Sequence, residues 1–217
     1  EPARGGPASA RAGVIGVPVP GVELAFVPAG DAHELRVRGP NVTPGTWRAG
    51  GSIDPIALDE LGFYAMGDAG TLADPAEPAR GVVFDGRISE NFKLSTATWV
   101  RVGELRIALV AACSPRIADA VITGHDRDEI GALVFPAPGQ VVDEAFREAL
   151  RAALAAMEAG RGGSSMRIAR LLVLEEPPSI DAGEITDKGY LNQRAILARR
   201  AAEVARLYSA DPGVIAR

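Results

Sequence analysis

The chain has 217 residues, 47% of them hydrophobic and 24% charged, enough to bury one large core or two small ones and too apolar to be disordered. A net charge of -5 argues against whole-molecule attraction to nucleic acid or to an anionic membrane surface. A single cysteine, Cys113, excludes an internal disulfide and any multi-cysteine metal site and fits a reducing compartment, the cytoplasm by default; no run of about 18 apolar residues is present to span a membrane.

Residues 1–13, EPARGGPASARAG, mix Gly, Pro, Ala and Arg without period and read as a flexible segment. With neither an initiator Met nor the apolar core of a signal peptide, this opening reads as the interior of a longer protein. Residues 14–40 hold three short β-type runs, VIGVPVP, VELAFVPA and ELRVRG, parted by Gly, Pro and Asp, which predict a small sheet or barrel. At residues 45–47 a turn is expected, packed by Trp47. LDELGFYAMGDAGTLAD and GVVFDGR then predict a hairpin pair across the Pro-rich DPAEPARG.

Residues 84–100, FDGRISENFKLSTATWV, read as a swivel between two units. The expected division is a β subdomain over 14–85, a hinge over 86–92 and an α+β domain over 93–217. In the second unit, residues 92–101 alternate as a hairpin, and VGELRIALVAA places Leu105, Ala108, Leu109 and Ala112 on one helical face. ADAVITG and GALVFPA are buried-strand candidates. DEAFREALRAALAAMEA is an amphipathic helix with Phe146, Leu150, Ala153, Leu154 and Met157 inward and Gly160 as its stop. MRIARLLVLEE reads as a further strand, PPSIDAGEITDKG as a long surface loop, and the last helix should run from about Asn192 to Tyr208. The fold class is therefore α+β: a small β-rich, barrel-like subdomain followed by a compact α+β domain.

Several side chains suggest chemistry. Asp68 follows Gly67 in FYAMGD, residues 63–68, where a carboxylate can accept bonds from two hydroxyls. Arg87 in DGR carries a planar, permanently charged fork. Lys93 and Lys188 are the only lysines in a chain whose other cations are arginines. His33 and His125 offer no ligand spacing, so no metal site is expected, and GHDRDE, residues 124–129, reads as a turn between strands.

Taken together, FYAMGD, GRISENFKLSTATWV (86–100) and DAGEITDKGYLNQRA (181–195) resemble the adenylate-forming superfamily of acyl-CoA synthetases, luciferases and peptide-synthetase adenylation domains, and look closest to feruloyl-CoA synthetases. The resemblance covers most of the chain but only the C-terminal part of such an enzyme. It implies that Tyr64, Gly67 and Asp68 match a Tyr-x-Thr-Gly-Asp motif, with Met66 in place of Thr, and that Asp68 and Arg87 hold the ribose of ATP. Ser89 would be the hinge, where relatives carry Asp or Lys. Lys93 to Trp99 would form the face along which the pantetheine arm of CoA passes, with Ala97 where many relatives have Gly. Lys188 would be the catalytic lysine that a mobile C-terminal lid domain brings to adenylation; an alternative alignment puts Tyr190 in its place, and Lys188 is the only lysine in that region. The resemblance further implies ATP, CoA and Mg2+, the magnesium ligands lying upstream of residue 1. The expected partners are the missing N-terminal adenylation domain, an aryl or acyl carboxylic acid, ATP and CoA. By this reading the chain is the C-terminal fragment of an ATP-dependent acid-CoA ligase, inactive by itself. The rivals are an adenylation unit that hands its acyl group to a carrier protein, as in peptide synthetases or carboxylic acid reductases, and a catalytically silent lid or docking module.

Overall fold

The computed structural model describes residues 13–159 and 167–216. The expected flexibility of residues 1–13 therefore concerns residues that lie, all but Gly13, outside the described ones, and so does the helix stop at Gly160. Two compact units divide between Ser89 and Glu90.

The first unit is built on an antiparallel sheet of order β1-β2-β5-β6, from strands β1 (Glu23–Ala29) and β2 (Ala32–Arg38), with β5 (Tyr64–Leu72) and β6 (Val82–Arg87). Gly30, at φ 65°, and Asp31 form the two-residue turn between β1 and β2, the left-handed conformation that a tight hairpin requires. Leu35 and Val37 of β2 point into the core. The expected strand at VIGVPVP does not form: only Val14 bridges, to Val83, and Ile15 donates to the Val82 carbonyl at 2.8 Å. Pro18 and Pro20 have no N–H to extend a ladder. Trp47 does not pack its turn either. It lies on β3 (Gly45–Trp47), paired with β4 (Ile53–Pro55), and is 73% exposed. The close approach is made by Gly45, where a Cβ would lie 2.3 Å from the Asp54 carbonyl oxygen.

The second unit opens with a short hairpin, β7 (Phe92–Lys93) and β8 (Trp99–Val100), and continues into helix α1 (Val102–Cys113). Its centre is a sheet of order β12-β11-β10-β9, from β9 (Ile117–Thr123), β10 (Ile130–Pro136), β11 (Ile168–Val173) and β12 (Val214–Ala216). Strands β10 and β11 run parallel, the other pairs antiparallel. Helices cover both faces. Ile130, Ala132 and Val134 of β10 meet α1 and α2 (Glu144–Ala159), while Leu133 and Phe135 meet the side of α3 (Gln193–Arg199) and α4 (Ala201–Leu207). Double coverage explains why β10 reads as an unbroken apolar run.

Of the expected α1 face, Leu105 and Leu109 are buried and Ala108 is partly buried, while Ala112 is exposed; Val102 and Cys113 complete the buried stripe at the 3.6-residue period. On α2 the expected Phe146, Leu150 and Leu154 are buried, with Ala153 and Met157 against them. The single last helix divides into α3 and α4 at Arg200, whose φ and ψ of -99° and 36° leave the helical region. Strand β12 is too short to announce itself by periodicity.

Gly131 sits where β10 meets α4: a methyl group there would lie 2.6 Å from Leu207 Cδ2 and 3.1 Å from the Tyr208 hydroxyl. Gly131→Ala is expected to destabilise the chain by about 1–3 kcal/mol in urea unfolding, the usual penalty of overpacking; an unchanged midpoint would show that α4 does not press on the sheet there.

Candidate functional site

In the first unit the site is written into strand register. Antiparallel pairing of β5 with β6 sets Asp68 opposite Arg87. Their side chains form an ion pair, Arg87 Nε to Asp68 Oδ1 at 2.9 Å, with the carboxylate 26% and the guanidinium 55% exposed. Gly67 has φ 74° inside β5, and the register of β5 slips against both of its neighbours around Asp68. This is a bulge, the device that re-aims a side chain within a sheet. Gly67 thus takes its left-handed conformation in mid-strand, not in a turn between strands. Tyr64 opens the same strand, exposed and opposite Val37. Asp68, Arg87 and Tyr64 thus share one pair of strands, and a carboxylate beside a guanidinium is a chemically suitable donor and acceptor set for a ribose diol.

Ser89 is exposed in a short 3-10 turn over Ile88–Glu90, at the division between the units. Beyond it, Asn91 Oδ1 accepts from the Val102 amide at 3.0 Å and so caps α1 with a side chain from outside the helix. Lys93 Nζ lies 5.7 Å from the centre of the Trp99 ring, a cation–π contact across the β7–β8 pair. Ala97 at the hairpin tip has φ 61°, the conformation that glycine adopts more easily. Trp99 Nε1 and Asn91 Nδ2 are buried with no acceptor among the described residues. GHDRDE is the turn between β9 and β10, and it supports the hairpin: Asp126 donates to the Lys93 carbonyl at 3.0 Å, and Ser95 donates to Asp128 at 2.5 Å.

Lys188 stands at the tip of an ordered turn. Ile185 bridges Leu191, Thr186 donates to the Tyr190 carbonyl at 2.8 Å, and Gly189 donates back to Thr186 at 2.9 Å with φ 80°. The expected surface loop is irregular over residues 177–184 and ends in a small hydrogen-bonded hairpin over 185–191. Lys188 and Tyr190 are both exposed on it.

What holds this hairpin is a pair of residues that pattern reading did not single out. Glu184 is 0% and Arg200 4% exposed. Arg200 Nε and Nη2 donate to the two carboxylate oxygens at 2.8 Å each, a bidentate pair, and the guanidinium also donates to the carbonyls of Glu176 at 3.1 Å and Pro177 at 3.0 Å. Glu184 accepts a further bond from the Ser179 amide at 2.8 Å. The Arg200 guanidinium lies 5.3 Å from the centre of the Phe135 ring. The bond from Arg200, with help from the Ser179 amide, outweighs desolvation and lowers the Glu184 pKa to about 2. One sequence signal marks this pair: Gln193, Ile196, Arg200 and Leu207 recur at helical spacing on one buried stripe, and an arginine in such a stripe requires an anion. Cys113 is no nucleophile, since burial pushes its thiol up to about 11.

Comparison with known proteins adds the family. The AMP-binding enzyme C-terminal domain matches residues 103–212. A chloroplastic long-chain-fatty-acid–[acyl-carrier-protein] ligase of Arabidopsis thaliana is 29% identical over 216 residues, which cover 91% of this chain and 29% of the relative. A probable chloroplastic acyl-activating enzyme of the same plant is 26% identical, covering 90% of this chain and 31% of its own. The chain thus spans under a third of the length of these curated relatives. Among solved structures, the adenylation domain of a carboxylate reductase from Mycobacterium chelonae superposes with a TM-score of 0.68 at 20% identity, over 88% of this chain and 31% of that one. An anthranilate CoA ligase in complex with anthranoyl-AMP gives 0.63 at 21% identity, over 92% and 37%. At such identities the structural likeness speaks for the fold alone.

A pH dependence follows from the clamp. Because the folded Glu184 carboxyl titrates near 2 and an unfolded one near 4.5, the unfolded state takes up its proton first as pH falls. The stabilisation is thus fully present above about 4.5 and is lost towards 2; it amounts to roughly 3 kcal/mol at 1.36 kcal/mol per unit. In urea unfolding, the stability gap between wild type and Glu184→Gln is expected to be wide at pH 7 and to narrow below pH 4.5. A gap independent of pH would contradict the ionised pair.

Proposed function

The chain belongs to the AMP-binding enzymes, carrying their C-terminal domain over residues 103–212, and on that premise we propose that it is the distal part of an ATP-dependent acid–thiol ligase. The observation that carries the reading is Lys188, an exposed ammonium at the tip of a hydrogen-bonded turn inside the span matched by that domain. In the proposed first half-reaction a substrate carboxylate oxygen bonds to the α-phosphorus of ATP while the bond to the departing pyrophosphate breaks. Lys188 neutralises the two anions as they meet, an electrostatic role worth most in the transition state. Asp68 and Arg87 orient the nucleotide through its ribose hydroxyls, with Tyr64 beside them on β5. Bound magnesium would spread phosphate charge, and its ligands are proposed to lie in segments of the enzyme upstream of residue 1.

In the second half-reaction a thiol attacks the acyl carbonyl and AMP leaves. The β7–β8 hairpin is proposed to line the path of the pantetheine arm, with Lys93 placed to meet an anionic group of CoA and the buried Trp99 N–H as a donor for an amide carbonyl. Ser89, at the division of the units, is the proposed pivot that exchanges the Lys188 turn for this hairpin. The run GRISENFKLSTATWV together with DAGEITDKGYLNQRA supports a hydroxycinnamate such as ferulate as the acid and free CoA as the acceptor. A second reading, a carrier-protein thiol as acceptor, is favoured by the similarity to an acyl-carrier-protein ligase. The proposed compartment is the cytoplasm; no described helix is long and apolar enough to cross a membrane.

In the complete enzyme, Lys188→Ala is expected to lower ferulate-driven ATP–pyrophosphate exchange by about 100- to 1,000-fold, while thioester formation from supplied feruloyl-adenylate stays near wild type. Equal loss in both assays would contradict the division of labour. No exchange with ferulate or any other acid would contradict the ligase reading itself. Ser89→Pro, which fixes φ near -65°, is expected to depress overall turnover more than either half-reaction measured alone; unimpaired turnover would place the pivot elsewhere.

A further inference from the structure

The bidentate pair of Glu184 and Arg200 touches no proposed substrate group, yet the hydrogen bonds at the base of the Lys188 turn converge on Glu184. The Glu184 amide donates to the Ser179 carbonyl at 2.9 Å, its carbonyl accepts from the Asn192 amide at 2.8 Å, and its carboxylate accepts from the Ser179 amide and from Arg200. One residue thus ties together the strand entering the turn, the strand leaving it and the segment before it. Arg200 extends the tie to the Glu176 and Pro177 carbonyls and anchors it where α3 meets α4.

We propose that Glu184 is a positioning residue for adenylation: its ion pair with Arg200 fixes the base of the 186–189 turn and so the reach of Lys188. The inference rests on the role proposed above for Lys188. Stability by itself is a poor reason for such a pair, since a buried ion pair contributes about as much as well-packed apolar side chains of the same volume. What two charged groups add is direction. The fork of Arg200 against two carboxylate oxygens admits one geometry, and the carbonyl of the same Glu184 then seats the Asn192 amide on the far strand. Between these fixed ends run Ile185 and Thr186 on one side and Tyr190 and Leu191 on the other, too short a hairpin to drift by itself. Displacement of a catalytic group by about 1 Å can cost on the order of 100-fold in rate, so even slight slack at the base would register at the tip.

The test is a double-mutant cycle in the complete enzyme. Glu184→Gln is expected to slow acid-driven ATP–pyrophosphate exchange by about 10- to 100-fold and to leave thioester formation from supplied acyl-adenylate unchanged. In a Lys188→Ala background the same Glu184→Gln change should cost nothing further in exchange, because the group it positions is gone. Equal losses with and without Lys188, or equal losses in both half-reactions, would make Glu184 a structural residue only and overturn the proposal. Lys188→Ala alone separates the two ideas: if it leaves exchange intact, the lysine assignment fails first, whatever Glu184→Gln does. Should Glu184→Gln lower the melting temperature too far to assay, Glu184→Gln/Arg200→Met removes both charges together. That variant is expected to fold and to show the same selective loss of exchange; a folded double variant with normal exchange would overturn the proposal.

Discussion

A carboxylate and a guanidinium, both nearly removed from water, govern how this chain presents the exposed Lys188 turn. Ionic groups so placed persist only if each is met by the other and by further hydrogen bonds, and Glu184 and Arg200 meet that condition through two direct bonds and the peptide groups of Ser179, Glu176 and Pro177. The consequence reaches beyond the pair. Arg200 can be buried there because the helix bends at that residue, and the bend lets α3 and α4 lie on the sheet as two short segments in place of one long helix. On the opposite face α1 and α2 complete the cover, so the clamp is built into one side of a closed sandwich.

The first unit solves a similar problem with backbone rather than charge. There the relevant groups lie on strands, where alternation dictates which face each side chain takes. A left-handed glycine in mid-strand breaks the alternation once, at Gly67, and the next residue, Asp68, meets Arg87 across the ladder. The two devices suit their tasks: a bulge sets an ion pair within a sheet, whereas a buried clamp steadies a hairpin that projects from the domain.

Much of this was legible in the sequence where one rule dominates. Strands β9 and β10 follow from their apolar runs, helix α2 from apolar periodicity, and the β5–β6 hairpin from turn chemistry. Reading failed where two rules compete. VIGVPVP has β-type side chains, but its prolines cannot donate, and backbone bonding prevails. Trp47 seemed the natural filler of its turn, yet the tight spot takes Gly45 because backbone meets backbone there. In the candidate site, Asp68, Arg87 and Lys188 were visible from their motifs, and Gly67 from its residue type. The clamp was not, because its members stand 16 residues apart and only their burial makes them partners. Pro and Gly in PPSIDAGEITDKG correctly forbade regular structure, but they say nothing of the irregular order that side-chain bonds can impose.

The central claim is that the Lys188 turn is held rigidly by Glu184 rather than presented on a loose loop, and amide hydrogen exchange in the Ser179, Glu184 and Asn192 peptide groups tests it most directly. If the clamp holds as the structure has it, these amides exchange as slowly as those of β10 and quicken sharply in Glu184→Gln. Exchange in the wild type as fast as at an exposed turn such as Gly139 would contradict it, and the lysine would then depend on a partner surface, not on its own domain, for its position.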